Sequence, residues 1–585
     1  MNTLKRFWSE FLVLFVLLLL MLVSFNPKDG YYRSAVVRSD GQGYFAYLPA
    51  IVAHQDLTWE KSTQDEASLP EFNGRHYLHQ NAEGVLFDKY YPGVAVLQLP
   101  FYTLGYALES LIAEGNSYGI LPIFFFHLGS IFYGFLGFIF LKRFLLKSFE
   151  NKRYVILSSL LIFFGTNVFY QIVFHPSFSH QYSFTMMSLF ALLARVYVEK
   201  QTPKNALLLG LTLGMIFLIR PTNVLIVFAL PLLMIQKENI LQFFMGIFTL
   251  KNLHLLLATL GFTACILILF TLNYLQTGAI FNWSYQGEGF NFGSPEIINT
   301  LFSFRTGLFV HIPMTLFSLM GLYFAYKKGY TWMPLAWVFY FFILVYLTAS
   351  WWCWDYGGSW GHRVFTEQMV FFAPPMVFLL QNVKRRKLVI GVLSLMAVMF
   401  CFRLYQVRHD LAPSRLTPEL YVRTLFNVEH TEGVKKYYFP RSCKPFGTCI
   451  ATTDLPIEGG RELTFTPERT YGGGALFVYP EDRSYDRFFI RCTADKTLAE
   501  NADWNDVLLV FDGRDENEET INYVALPFYE YYKEGRNGQK HIEVSREMID
   551  LLGEVKSIKI YIWNKGQSTF KLQNFKVVVE QYHVN

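Results

Sequence analysis

The first two thirds of this chain are written in long apolar blocks, and no other feature narrows the fold as far. Blocks at 7–25, 119–141, 155–174, 181–198, 205–219, 222–236, 253–275, 306–326, 331–350, 364–381 and 388–406 read as spans, since about 20 apolar residues cross a bilayer. That makes about eleven transmembrane helices. Hydrophobic residues are 52% of the chain and charged residues 17%, the proportions of a polytopic α-helical membrane protein. A net charge of +5 over 585 residues gives no reason to expect a nucleic-acid partner.

The placement of the charges orients the blocks. Lys5 and Arg6 precede the first one, which puts the N-terminus in the cytoplasm. A cleaved signal peptide is the alternative, but the run is too long for one and NPKDG after it lacks a small-x-small cleavage site. Basic clusters at Lys142/Arg143/Lys147/Lys152/Arg153, Lys200/Lys204, Lys237/Lys251, Lys327/Lys328 and Lys384/Arg385/Arg386/Lys387 fall in alternate loops, so all can be cytoplasmic together. Counting 94–112 as a span would break that parity. With Pro92, Gln98, Pro100 and Glu109 it reads instead as an interfacial or dipping helix. A long outer loop, 26–118, follows, and further outer segments lie near 175–180, 220–222, 276–304, 351–363 and after 406.

Each outer segment carries polar groups among aromatics. The first holds SDGQGYFAYLP, where Asp40 sits beside Gly41 and Gly43 and is followed by Tyr44, Phe45 and Tyr47. An acid in a flexible turn at a membrane surface is placed to serve as a base toward a lipid-borne substrate; an Asx turn or helix cap is the plainer alternative. Arg33, Arg38 and Lys89 (in FDKYYPG) are cations on the side that the charge bias disfavours, which a bound phosphate would explain. In HPSFSHQYS, His175 and His180 are five apart and share no helical face, so a metal pair is not expected; His180 reads as a polar contact to substrate. Arg220 ends a span before Pro221, a position where arginine is paired, functional or snorkelling. NWSYQGEGFNFGSPE, with Glu288, suits a sugar or an interfacial belt equally. Arg305 and His311 follow in LFSFRTGLFVHIP. WWCWDYGGSWGHR brings Asp355, Tyr356, His362 and Arg363 together with glycines that let backbone approach a ligand.

Beyond about 410 the composition becomes that of a soluble domain. DVLLVFDG, INYVALPFYEYY, SIKIYIWNKG and TFKLQNFKVVVEQY read as strands separated by Gly, Asn and Asp turns, hence an extracytoplasmic β-sandwich over 410–585. IYIWNKGQSTFKLQNFKVVVE resembles the closing hairpin of jelly-roll carbohydrate-binding modules, without transferring a ligand. Cys443 and Cys449 are close enough to pair, which is expected only on an oxidising side.

Taken in order, SDGQGYFAYLP, YPG with LPFYTLG, HPSFSHQYSF, RPTN, LFSFRTGLFVHIP and GGSWGHR resemble the GT-C class of polytopic glycosyltransferases, which includes bacterial relatives of protein O-mannosyltransferases and aminoarabinose transferases. The resemblance covers residues 1–406. It implies a membrane catalytic domain, a polyprenyl-phosphate sugar donor, Asp40 as the catalytic acid of the first outer loop, and Arg363 on the phosphate. Two departures stand out: no second acid adjoins Asp40, and His362 stands where relatives often have proline. A divalent cation stays open; no other cofactor is called for.

The chemistry expected is transfer from the lipid phosphate to an acceptor hydroxyl on a glycolipid, glycan or protein. Asp40 takes the hydroxyl proton, Lys89, Arg305 and Arg363 hold the leaving phosphate, and the anomeric carbon inverts. The alternatives are a polymerase or ligase with a diphosphate donor, a transporter or flippase, and a scaffold for the sandwich. A transporter should show inverted repeats and interrupted midplane helices, whereas these polar signals gather at one face. The site of action expected is the outer face of a bacterial cytoplasmic membrane.

Overall fold

The structure, a computed structural model, describes the chain from residue 2 to 583 apart from 26–30, 63–76, 82–84, 113–114, 250–252, 286–288, 352, 357–359, 410–420, 423, 429–447, 481–485, 498–506, 529–540, 549–554 and 567. It divides into two compact units between Tyr405 and Gln406.

The first unit is helical. Among the described residues five helices are long and apolar enough to cross a membrane: Phe7–Ser24, Ile120–Ser148, Leu253–Thr277, Trp332–Ser350 and Arg386–Arg408. A bent pair, Lys152–Phe164 with Asn167–Phe174 at 53°, makes a sixth if counted as one span. The chain is a multi-pass membrane protein, but the count of eleven does not follow from these helices. The remaining apolar blocks are shorter or more polar than the 20-residue rule assumes, for identifiable reasons.

Arg220–Pro221 stops the helix Pro203–Ile219, and Pro221–Ala229 continues as a 3-10 helix, because proline cannot donate to the preceding turn. The block at 306–326 is split into Leu308–His311 and Met314–Lys327 around Pro313. The block at 364–381 begins with a single 3-10 turn, Arg363–Phe365, before Met369–Asn382. His180–Glu199 spans 20 residues but turns Gln181, Ser183, Thr185 and Ser188 inward, all buried. Such groups need partners inside the bundle, and Gln181 Nε2 donates to the Pro176 carbonyl at 2.7 Å.

The stretch expected at the interface is the helix Gly93–Ile112, with Pro100 inside it. It is not among the helices apolar enough to span. Its buried Gln98 donates to the Phe126 carbonyl at 3.0 Å, tying it to Ile120–Ser148. That long helix runs past the expected end at 141 and buries Lys142, which pairs with Glu10 of the first helix and donates to Ser9 Oγ at 3.2 Å. A lysine read as a loop charge is therefore a bond between helices.

The second unit is an antiparallel β-sandwich. One sheet runs Tyr471–Val478, Ser557–Asn564, Val507–Arg514, Thr520–Pro527; the other runs Thr448–Asp454, Phe570–His583, Asp486–Thr497, His541–Met548, with Leu463–Phe465 added on Phe570–His583. Counted along the chain, the eight main strands lie first–eighth–third–sixth in one sheet and second–seventh–fourth–fifth in the other, the double Greek key of a jelly roll. Alternation is regular in Ser557–Asn564, whose Ile558, Ile560 and Ile562 enter the core with Phe465, Phe511, Phe570 and Val577. Cys443, half of the expected disulfide, lies outside the described residues.

Candidate active site

Asp40 is the first residue of the helix Asp40–Leu48, which is buried from Gly41 onward. Ser39, just before it, has φ +50°, a backbone region that costs a non-glycine residue roughly 1–3 kcal/mol and that gathers at functional sites. Two glycines let this helix sit where it does. A Cβ on Gly41 would lie 1.8 Å from Ser177 Oγ, and one on Gly43 would lie 2.3 Å from the Tyr90 ring. The helix is therefore pressed against the 175–179 turn on one side and Tyr77, Asp88 and Tyr90 on the other. Tyr47 completes the second contact by donating to the Tyr90 carbonyl at 2.9 Å. Asp88 is occupied locally, accepting from the Tyr90 backbone N–H at 2.8 Å.

Ser39, Asp40 and Tyr90 thus come to line a cavity of about 610 Å³. Its charged lining, among the described residues, is Asp40 with Arg38, Lys89, Arg220 and Arg363, so one carboxylate faces four cations. Arg363 Nη2 donates to Asp40 Oδ2 at 2.5 Å, and its guanidinium lies 5.1 Å from the centre of the Phe178 ring. Arg38 bonds His175, a second lining residue. Lys89 Nζ sits 5.2 Å from the Tyr90 ring and 5.8 Å from that of Tyr285, held by two aromatic faces.

Much of the rest of the wall is aromatic, with aliphatic and small polar residues such as Leu344, Thr348 and Asn223 between the rings. Tyr44 reaches the cavity with its phenol pushed up to about 12, chiefly by burial, while sharing a side-chain hydrogen bond with Ser179; it stays protonated and can donate to a ligand oxygen. Trp351 packs on Phe290 at 4.8 Å and lies parallel to Tyr356 at 6.5 Å. The backbone of the 290–296 loop fastens to the end of Trp332–Ser350 through Asn291 N–H to the Ser350 carbonyl at 2.6 Å and Glu296 N–H to the Ala349 carbonyl at 2.9 Å. Cations, tyrosyl hydroxyls and flat aromatic faces in one cleft suit a phosphorylated sugar: guanidinium and ammonium groups take the phosphate, and rings take the apolar face of the sugar.

Of the residues selected from the sequence, Asp40, Tyr44, Lys89, Arg220 and Arg363 line this cavity. Arg305 does not. Its Nε lies 2.5 Å from Asp355 Oδ2, so each is taken up by the other and Asp355 is likewise off the lining. His362 also turns away from the cavity: fully buried between Tyr356 and Phe365, it has Nε2 at 2.9 Å from the Trp354 carbonyl, and burial pulls its pKa down to about 3. It holds the loop, and the adjoining Gly361 at φ +62° makes the turn that aims Arg363. Trp360 anchors the same loop beneath Arg403, with its carbonyl accepting from Asn167 at 3.1 Å. His180 stands behind Arg220 and not on the cavity wall. Glu288 lies outside the described residues.

Sequence reasoning passed over Glu367, named Arg38 only among three cations that a bound phosphate would explain, and weighed His175 only as half of a metal pair. Arg38 had a signal, being two positions before Asp40; Glu367 had only its place inside an apolar block, where an acid is rarely idle. Among the described residues no cluster of three metal-ligating groups occurs, and Asp40, the one carboxylate on the cavity lining, carries the Arg363 guanidinium.

No family model matches this chain, and no curated protein sequence matches it. Among solved structures it is similar to an archaeal oligosaccharyltransferase, AglB from Archaeoglobus fulgidus, determined with an inhibitory peptide and a dolichol-phosphate; the two are 12% identical with a TM-score of 0.38, over 76% of this chain and 62% of that one. It is also similar to the arabinosyltransferase EmbB from Mycobacterium smegmatis, at 12% identity and a TM-score of 0.33, over 98% of this chain and 64% of that one. The chain thus spans less than two thirds of the length of either. By name both transfer sugars.

Proposed function

We propose that this protein is a membrane glycosyltransferase that moves a sugar from a polyprenyl-phosphate donor to an acceptor hydroxyl at the outer face of a bacterial cytoplasmic membrane. The observation that carries the reading is the joining of Asp40 to Arg363 inside an aromatic cavity that also holds Arg38, Lys89 and Arg220. A base is needed only where a proton must leave, and a concentration of cations only where negative charge gathers. Both needs belong to this reaction.

The acceptor oxygen attacks the anomeric carbon as its proton passes to an Asp40 carboxylate oxygen. The bond from that carbon to the phosphate oxygen breaks, and its electron pair leaves on the phosphate, where Arg363, Lys89 and Arg220 meet the added charge. A phosphate leaves without being protonated, so one carboxylate suffices, and direct displacement inverts the anomeric centre. Acceptors of this chemistry are the hydroxyls of a glycolipid, a glycan or a protein.

The test is mass spectrometry of surface glycolipids and glycoproteins from a deletion strain complemented with wild type or with Asp40→Asn, membrane levels of the two proteins being matched. Loss of one sugar in the deletion, returned by wild type alone, is the expected outcome, and the missing mass names the sugar. Full return with Asp40→Asn overturns the assignment of the base.

A further inference from the structure

Behind the cavity wall, Arg220 is gripped by buried groups that the reaction as written does not use. Glu367 is completely buried, four positions after Arg363 and at the mouth of the helix Met369–Asn382. Its Oε2 is 2.9 Å from His180 Nδ1, and its Oε1 accepts from Asn223 Nδ2 at 3.2 Å and faces Arg220 Nε at 3.7 Å. Arg220 Nη1 is 3.2 Å from His180 Nδ1 and 3.5 Å from Nε2, so the guanidinium lies across the imidazole instead of bonding one nitrogen in the ring plane. Nδ1 is then left to donate to the carboxylate. Gln368 extends the set: its Nε2 donates to Asn223 Oδ1 at 3.3 Å and its Oε1 accepts from Tyr340 at 2.8 Å.

The pattern has a direction. Glu367 and His180 lie off the cavity wall, and Arg220, which they grip from behind, lies on it. An arginine side chain has several rotatable bonds, and fixing it in advance removes an ordering cost from ligand binding. A buried carboxylate is expensive to keep unless it is paired and fully hydrogen-bonded, and here its contacts converge on one cation that faces the ligand. Glu367 and Arg363 also belong to one short turn, in which Thr366 N–H bonds the Arg363 carbonyl at 3.0 Å. That turn sets one guanidinium directly and the other through a carboxylate.

We propose that Glu367 is a positioning residue that, with His180, holds Arg220 against the phosphate of the lipid-linked donor. This rests on the function proposed above and deepens it, since it separates two arginines of the cavity by how they are held. Arg363 is held by Asp40 and is free to exchange partners during the reaction; Arg220 is held from behind and is fixed throughout.

The experiment is a double-mutant cycle in full-length protein in nanodiscs, reading retention of undecaprenyl phosphate by native mass spectrometry and melting temperature in parallel. Arg220→Gln and Glu367→Gln should each weaken retention about tenfold, the scale of one charge-assisted hydrogen bond. The double variant Arg220→Gln/Glu367→Gln carries no uncompensated buried charge, so it guards against a single variant that fails to fold. If Glu367 acts through Arg220, the double variant retains the lipid no worse than Arg220→Gln alone. Retention by Glu367→Gln equal to wild type, or losses that multiply in the double variant, overturns the proposal while leaving the functional reading standing. No retention by wild type overturns both.

Discussion

Arg363 Nη2 lies 2.5 Å from Asp40 Oδ2, although 323 positions separate the two residues. Both side chains are partly screened from water, with 12% and 27% of their surface exposed. The pair therefore occupies one oxygen of the proposed base until something else engages the guanidinium. The phosphate of a donor is such a competitor, because guanidinium binds phosphate oxygens in the same two-pronged manner as a carboxylate.

Ordered binding is the first prediction. Donor phosphate should bind first and release Asp40, so initial-rate kinetics with reconstituted protein should show ordered addition, with acceptor alone giving no protection of Asp40 against a carbodiimide and donor changing its reactivity. Random-order kinetics would sink the idea that the ion pair gates the base.

A second prediction concerns the base itself. Asp40→Asn keeps the size of the side chain and an oxygen toward Arg363 but cannot take a proton, so turnover should fall by about 10²–10⁴-fold, the usual contribution of general base catalysis. The donor KM should change far less. A variant that retains normal turnover would move the role of base to another group.

Much of this site was legible, and the part that was not has a physical reason. Asp40, Tyr44 and Lys89 stood out as polar groups among aromatics in the first outer loop, and Arg220 and Arg363 as cations at the ends of apolar runs, where their cost demands a use. Whether a side chain there faces the ligand or a neighbour depends on tertiary contacts. Arg305 and Asp355 satisfy each other, and His362 is turned to the Trp354 carbonyl; nothing local in LFSFRTG or GGSWGHR records that. Glu367 was hidden because FTEQMVFF reads as the start of a span. The count of eleven is not matched by helices long and apolar enough to cross among the described residues for a related reason: helices that pack inside a bundle and break at Arg220–Pro221 or Pro313 need neither the length nor the apolarity of a lipid-facing helix. The sandwich, by contrast, was written in strand alternation that survives into Ser557–Asn564.

Gly41 carries the third prediction. A methyl group there would lie 1.8 Å from Ser177 Oγ and 2.5 Å from its Cβ, distances no repacking of the hydroxyl alone can absorb. Gly41→Ala should push the Asp40 helix off the 175–179 turn, with overpacking costing about 1–3 kcal/mol and activity falling by about 10²-fold for a displacement of about an ångström at a reacting group. The pair Gly41→Ala/Ser177→Gly removes the obstructing side chain and should recover part of both losses in melting temperature and turnover. Activity of Gly41→Ala equal to wild type would show that this close approach does not set the position of Asp40.

His362 gives a prediction about acid. Burial holds its pKa near 3 in the folded chain, while the unfolded chain titrates near its ordinary value of about 6.5. Between those values the unfolded state binds a proton that the folded state does not, so the unfolded state gains as pH falls. The stability linked to His362 is therefore fully present above about pH 6.5 and drains away as pH drops toward 3. Melting temperature measured from pH 7.5 to 5 should fall, and His362→Gln, which can still donate to the Trp354 carbonyl but does not titrate, should flatten that slope while lowering stability at neutral pH. Because His362 is off the cavity wall, the same variant should leave retention of polyprenyl phosphate near the wild-type level at neutral pH. A slope unchanged in His362→Gln would assign the acid sensitivity to other buried groups, and a large loss of lipid retention with intact melting would return His362 to the ligand.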